Sequence, residues 1–356
     1  RQQEGRVAVY LKALFTEMGA VVFEDDSASR TGSDCCNLFF RFPESGLEKE
    51  PVFFNCHMDT VLPAIGVKVK REGEVFTSAG DTVLGSDDKA GIAALIEVMR
   101  TLQEKNIPHG PVEYIFTTCE EVGLLGVKAL DPSLIKAKIG YALDSSGINR
   151  VVIGAPAANR ITAEVKGLAS HAGLSPEKGI SAIQLAARAI ARLKLGRLDP
   201  ESTANIGVIE GGTASNIIPE SALVQGEVRS HNVKLLQEHT AHIRSTFEEE
   251  IATWSDPEGV VEGRPSLDFT AVDDFPILKL DRDSAVIKRV EAAAALLDRE
   301  LHYVVAGGGS DANIFNGYGL QCAILSTGMD KVHSTRETIK LSDMALTADL
   351  IMAILL

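Results

Sequence analysis

The chain has 356 residues, 45% hydrophobic and 24% charged, which is apolar material for about two folded domains and excludes a largely disordered polypeptide. Its 35 Lys and Arg stand against 49 Asp and Glu, a net charge of −14, and no long basic block interrupts the excess; nucleic acid and anionic membrane surfaces are not expected partners. No apolar run reaches the roughly 18 residues of a membrane span, and no basic segment followed by an apolar stretch opens the chain. The first residue is Arg1 rather than Met, so a longer natural chain is expected. The five cysteines, Cys35, Cys36, Cys56, Cys119 and Cys322, are odd in number and lack CxxC spacing. That argues against a disulfide framework or a thiolate zinc site, and for a cytoplasmic location.

Val7 to Met18 reads as a helix, and Pro51 to Cys56 as a buried strand running into His57. Asp88 to Lys105 reads as a helix with Ile92, Leu95, Ile96, Met99 and Leu102 on one face. Val112 to Thr118 and Ile139 to Leu143 read as further strands. Alternating β and α segments with short apolar strands predict an α/β sheet covered by helices. The character changes near Ala155-Pro156. Strands at Arg160 to Lys166, Ala204 to Ile209, Ala222 to Arg229 and Ser266 to Val272, with helices at Ile180 to Leu195 and Asn232 to Trp254, give the order βαββαβ, a split-βαβ unit. After Pro276 the α/β character returns, with a helix from Ser284 to Arg299, a Gly-rich turn at Gly307 to Gly309 and a strand near Ala323. The expected organisation is an α/β domain of residues 1–156 plus 275–356, interrupted by a smaller domain of residues 157–274.

Four strand-end sites could carry chemistry. His57 and Asp59 sit two apart, so their side chains point the same way, and a carboxylate on the far imidazole nitrogen would fix the tautomer of a metal-ligating histidine. A strand-end turn with two polar residues is the plainer alternative. Asp87-Asp88 precedes an amphipathic helix and could bind a cation or simply cap the helix. Glu120-Glu121 follows a buried apolar strand, where one carboxylate could meet a metal and the other serve as a base; a solvated loop is the alternative. Asp144 ends the Tyr141-Ala142-Leu143 strand. Imidazole and carboxylate ligands together suit Zn, Mn or Co. The residues themselves neither bring a distant histidine into the site nor choose a substrate.

These segments, in their order, resemble those of the M20 di-zinc metallopeptidases, and most closely the peptidase T-like (tripeptide aminopeptidase-like) branch. The matching stretches are Cys56 to Val61, Leu84 to Gly91, Glu120 to Gly126, Leu143 to Ser145, Ala169 to Gly173, Gly211 to Pro219 and Gly308 to Asp311. The resemblance implies a mixed-sheet α/β/α catalytic domain with an inserted ferredoxin-like α+β domain acting as lid and dimerisation module, hence a homodimer. It implies two divalent ions, zinc first, with cobalt or manganese as alternatives: one on His57 and Asp144, one on Glu121 and His333, and both on Asp87. It also implies a cis peptide between Asp87 and Asp88, Asp59 as the acid that orients His57, and Glu120 as the general base that takes the proton of a water bridging the metals, which then attacks as hydroxide. His171 would stabilise the oxyanion in a neighbouring subunit's site. Asn216 and Arg229 would bind substrate carboxylates, and Gly308 and Gly309 would let the backbone approach substrate, with a tight turn as the alternative.

The activity so implied is hydrolysis of short peptides from one end, foremost release of the N-terminal residue of a tripeptide. An N-acyl-amino-acid deacylase or carboxypeptidase-type amidohydrolase is the alternative, and a non-catalytic binding module a third. His239 and His242, spaced i, i+3, read as an exposed helix face, and Cys56 and Cys119 as buried thiols. Cys35-Cys36-Asn37 and the short N-terminus depart from the family pattern. So does the total length, which is less than that of full peptidase T proteins.

Overall fold

The structure is a computed structural model that describes residues 2–356. In chain order, unit 1 begins with α1 (Gly5–Glu17), β1 (Val21–Glu24), α2 (Ala28–Thr31), β2 (Leu38–Phe42), β3 (Val52–His57), β4 (Val69–Glu72), β5 (Val75–Ser78) and α3 (Ser86–Glu104). It continues with β6 (Val112–Thr117), α4 (Leu125–Ala129), β7 (Ile139–Ser145) and β8 (Arg150–Ala155). Unit 2 holds β9 (Ala157–Lys166), α5 (Ala182–Arg192), β10 (Gly196–Asp199), β11 (Ser202–Gly211), β12 (Ser221–Ser230), α6 (Val233–Ala252) and β13 (Ser266–Phe275). Unit 1 resumes with β14 (Leu278–Lys279), α7 (Ala285–Leu296), β15 (His302–Val305), α8 (Asp311–Gly317), β16 (Gln321–Ser326), β17 (Thr338–Lys340) and α9 (Leu341–Leu355). The two compact units meet in sequence at Ala155/Pro156 and Ile277/Leu278.

Unit 1 is built on a mixed sheet of order β1-β2-β6-β3-β7-β16-β8-β14, with β15 also on β8. Its centre, β6-β3-β7-β16, is parallel throughout, while β1 and β2 are antiparallel additions at one side. Every residue of β3 and β6 is buried. A parallel strand covered on both faces must be apolar along its whole length, which is why these two read as continuous hydrophobic runs. Side chains alternate between two helical layers. Phe53 packs on Phe315 of α8 with ring centroids 5.0 Å apart, while its neighbour Phe54 lies against Tyr114 and Tyr141. Phe15 of α1 packs against Phe40 and Phe116, and Tyr141 Oη donates to the Val286 carbonyl in α7.

In α3 the residues Ile92, Leu95, Met99 and Leu102 are buried, as their spacing predicts. The helix starts two residues earlier than expected, and Asp87 (φ −81°, ψ 103°) and Asp88 (φ −115°, ψ 25°) break its first turn. Gly91 sits where α3 crosses the sheet. A Cβ there would lie 2.7 Å from Cys56 Sγ, 2.8 Å from Asp88 Oδ1 and 2.8 Å from Leu143 Cβ. β17, β5 and β4 form a separate antiparallel sheet.

Unit 2 is an antiparallel sheet of order β10-β11-β12-β9-β13. The four strands foreseen from sequence take a ferredoxin-like order, and β10 is an added edge strand. Leu185 and Ala189 of α5 and Leu236, Ile243 and Phe247 of α6 form a core with Ile161, Val165, Val224 and Val228 of the sheet. Both helices have side-chain caps: Ser181 Oγ accepts the Gln184 amide, and Asn232 Oδ1 accepts those of Lys234 and Leu235.

Gly91→Ala forces a methyl group into a filled helix–sheet contact. The expected cost is about 1–3 kcal/mol, read as a fall of several degrees in the calorimetric melting temperature; an unchanged melting temperature contradicts this packing.

Candidate metal centre

The parallel centre of the sheet brings four strand ends together. β3 ends on His57, β6 leads into Glu120 and Glu121, β7 carries Asp144 near its end, and the segment after β16 carries His333. In open α/β sheets the carboxyl ends of the strands are where ligands bind. Asp87 joins them from the broken first turn of α3, and the Asp87–Asp88 peptide bond is cis.

Asp87 is the hub. Its Oδ1 lies 2.9 Å from His57 Nε2, and its Oδ2 lies 3.2 Å from His333 Nε2. His333 Nε2 is also 3.0 Å from Glu121 Oε1. Three sets of side chains at this centre place their ligand atoms within 4.8 Å of one another: His57, Asp87 and Asp144; His57, Glu120 and Glu121; and Asp87, Glu121 and His333. The structure thus gathers all five residues singled out as metal ligands, together with Glu120, although His333 lies far along the chain. His333 adopts φ +60°, the left-handed region that few non-glycine residues occupy, and Cys119, just before Glu120, has φ +56°.

Asp59 supports this arrangement. Its Oδ1 accepts the Glu120 amide at 2.9 Å and its Oδ2 the Glu121 amide at 3.2 Å. The same Oδ1 is 3.3 Å from His57 Nδ1, close enough to orient the ring electrostatically but without a well-aligned hydrogen bond. One buried carboxylate therefore fixes both the β3 histidine and the acidic turn after β6.

The electrostatics are one-sided. Burial opposes charge on Asp87, but the hydrogen bonds from His333 and His57 outweigh it and hold the carboxyl well below the usual range. The Asp87 hydrogen bond lifts the His333 imidazole to about 9. Burial works against a charged His57, yet Asp59 and Asp87 raise its pKa well above the ordinary value. Burial drives Glu120 and Asp144 strongly upward, with neighbouring carboxylates adding to the rise. Glu121 Oε1 and His57 Nδ1 are buried without a hydrogen-bond partner. Buried carboxylates held this close repel one another unless cations offset them. Oxygen and imidazole donors with unpaired lone pairs fit divalent metal ions.

Three further side chains support the centre: Lys89 and Asp311 lie within the matching stretches, which imply no role for them, and Glu337 lies outside all of those stretches. Glu337 is 1% exposed and accepts from the Gly85 and Asp87 amides and from Ser86 Oγ. Lys89 Nζ donates to the Asp59 carbonyl at 2.5 Å and to Thr60 Oγ1. Asp311, the N1 residue of α8, is buried and accepts from Asn55 Nδ2 at 3.3 Å and from Thr117 Oγ1.

The remaining site candidates each have their own local surroundings. His171 is exposed in unit 2, and its Nδ1 accepts the amides of Gly173 (3.1 Å) and Leu174 (3.2 Å). The neutral ring therefore carries its proton on Nε2. Asn216 lies beside it, since the Asn216 carbonyl accepts the Ala172 amide at 2.9 Å. Arg229 is held by Glu227 through two 2.9 Å contacts. Gly308 and Gly309 are half-buried in the loop before α8, and neither has positive φ, so left-handed turn geometry does not explain them. His239 pairs with Asp199 at 2.7 Å. Cys56 and Cys119 are buried free thiols.

Comparison with known proteins agrees with this geometry. The description "Peptidase dimerisation domain" matches residues 155–255, and "Peptidase family M28" matches residues 37–182. The "Uncharacterized protein YqjE" of Bacillus subtilis (strain 168) is 37% identical over 355 residues, covering 99% of this chain and 93% of that protein. The solved structure of aminopeptidase PepT from Bacillus cereus is 38% identical, covers 100% of this chain and 93% of its own, and superposes with a TM-score of 0.87. That of a tripeptidase from Staphylococcus aureus is 35% identical, covers 98% and 91%, and gives 0.88. The chain belongs to the M20 family of metallopeptidases, in its peptidase T-like branch. It is accordingly a metal-dependent hydrolase of peptides.

Asp59→Asn turns an acceptor for a backbone amide into a donor and removes the charge beside His57. Zinc affinity, read by equilibrium dialysis, should fall by about 10- to 100-fold; unchanged affinity would mean that Asp59 does not orient the ligands.

Proposed function

We propose that the protein is an aminopeptidase that releases the N-terminal residue of tripeptides, using two divalent cations and Glu120. The two cations rest on the two-sided contact of Asp87, one carboxylate oxygen toward each imidazole, and the aminopeptidase reading on the likeness to the PepT aminopeptidase and the tripeptidase. His57, Asp144 and Asp87 would hold one cation, and Glu121, His333 and Asp87 the other, zinc being the first choice for this donor set. When bound, such a pair polarises the scissile carbonyl and makes an attacking water more acidic.

Glu120 then accepts a proton from the attacking water and returns it to the leaving amine. Burial pushes its pKa up in the metal-free chain, and beside bound cations the carboxyl returns toward the charged form that accepts the proton. The Asp59 carboxylate holds Glu120 in place through the backbone amide. No side chain needs to act as a nucleophile, so no acyl-enzyme forms.

In unit 2, His171 presents Nε2–H, a donor suited to an oxyanion, because two amides already occupy Nδ1. We assign unit 2 the roles of lid and dimerisation module, residues 157–274 in the sequence-based division, and the assembly is a homodimer. The dimerisation-domain match supports this. Asn216, beside His171, and the half-buried Gly308 and Gly309 are assigned to substrate contact. The deacylase or carboxypeptidase alternative relies on Arg229 and Asn216 gripping a free carboxylate, and Glu227 already engages the Arg229 guanidinium. The five free thiols suit a reducing, cytoplasmic setting. No helix among the described residues is long and apolar enough to cross a membrane.

Ala-Ala-Ala in unblocked, N-acetylated and C-amidated forms, with products read by mass, tests the activity. Metal-dependent release of N-terminal alanine that N-acetylation abolishes is expected, with Glu120→Gln retaining its metals and losing about 10²- to 10⁴-fold in turnover. Cleavage that requires the acyl group or a free C-terminus would move the assignment to the alternative. His171→Ala should lower kcat by about 10²- to 10³-fold without loss of bound metal; near-normal kcat removes the oxyanion role.

A further inference from the structure

Asp87 must present its two oxygens in two directions, yet it stands where α3 is not helical. Regular helix hydrogen bonding does not fix its backbone, so something outside the helix must. Two carboxylates do this. Asp88 Oδ2 accepts the His57 amide at 3.2 Å, which ties the turn to β3. On the other side Glu337 Oε2 accepts the Gly85 amide at 2.8 Å, and Oε1 accepts Ser86 Oγ at 2.5 Å and the Asp87 amide at 3.0 Å.

Glu337 belongs to the segment that carries His333. Its own amide donates to the Ser334 carbonyl at 3.1 Å, and Asp330 and Thr338 exchange backbone hydrogen bonds of 2.9 and 3.0 Å that close the base of the loop. Thr338 to Lys340 then pair with β5. A carboxylate this deeply buried is costly unless its lone pairs are satisfied. Three donors satisfy them, at a helix start where negative charge is favoured.

We propose that Glu337 is a positioning residue for the metal centre. It locks the Asp87 turn to the His333 loop, 250 positions away, and so sets the distance at which Asp87 Oδ2 meets His333 Nε2. The inference rests on the two-cation reading above.

The test uses the full chain, stripped of metal and titrated with Co²⁺ (visible absorption) and Zn²⁺ (equilibrium dialysis). In Glu337→Ala the affinity for both ions is expected to fall by about 10- to 100-fold, as when outer-shell support of a ligand is lost. Glu337→Gln keeps one acceptor but turns a donor toward the backbone amides, so it should fall between wild type and Glu337→Ala. Ser86→Ala removes one of the three bonds and should weaken binding several-fold. The Co²⁺ absorption band should shift in Glu337→Ala, and excess metal should restore kcat with KM for Ala-Ala-Ala unchanged.

A purely structural role would lower the melting temperature of the metal-free variants while leaving Co²⁺ affinity and spectrum as in wild type, and that result overturns the proposal. Should Glu337→Ala not fold, Glu337→Gln and Ser86→Ala make the same comparison. Wild-type protein that binds fewer than two Co²⁺ ions defeats the two-cation reading itself. Two bound ions with unaltered affinity in the variants defeat only the role of Glu337.

Discussion

One carboxylate shared by two imidazoles organises the catalytic unit. Asp87 can meet His57 and His333 at once only if strand β3, the start of α3 and the loop after β16 are held in fixed register. The parallel centre of the sheet supplies most of that register, because adjacent parallel strands end side by side. The rest comes from buried carboxylates used as braces. Asp59 grips the turn of Glu120 and Glu121, Asp88 grips β3, and Glu337 grips the turn before α3. Asp59 and Glu337 satisfy their charge with backbone amides and a hydroxyl, a way to keep an acid buried without a full ion pair, whereas Asp88 accepts one amide and keeps a buried Oδ1 without a partner.

This construction concentrates negative charge where the strands end. Two histidines and the half-buried Lys89 do not balance Asp87, Asp88, Glu120, Glu121 and Asp144, and burial drives Asp88, Glu120 and Asp144 toward the neutral form. Divalent cations reverse that tendency, which links the acidity of the site to the chemistry of a metallopeptidase.

Much of this was legible in the sequence, for physical reasons that also mark the limits. β3, β6 and β7 announce themselves because strands buried on both faces must be apolar throughout, and α3 because only one of its faces is. β4 is exposed along its whole length and β1 is half-exposed, so neither carries a pattern. α9 packs against both α3 and α7 and is apolar nearly all round, which erases the stripe that marks a surface helix. The pair His57 and His333 could be joined only through family resemblance, since no periodicity connects residues so far apart. Glu337 looked like any charged residue in a polar loop; its spacing four beyond His333 was the one available hint. Arg229, which the resemblance alone assigns to substrate, has its guanidinium engaged by Glu227 of its own strand.

The most direct test of the account is a crystal structure of zinc-loaded protein with anomalous data collected on both sides of the zinc edge. Two anomalous peaks flanking the Asp87 carboxylate are expected, one against His57 and Asp144 and the other against Glu121 and His333. A single peak, or a pair that does not share Asp87, would contradict it.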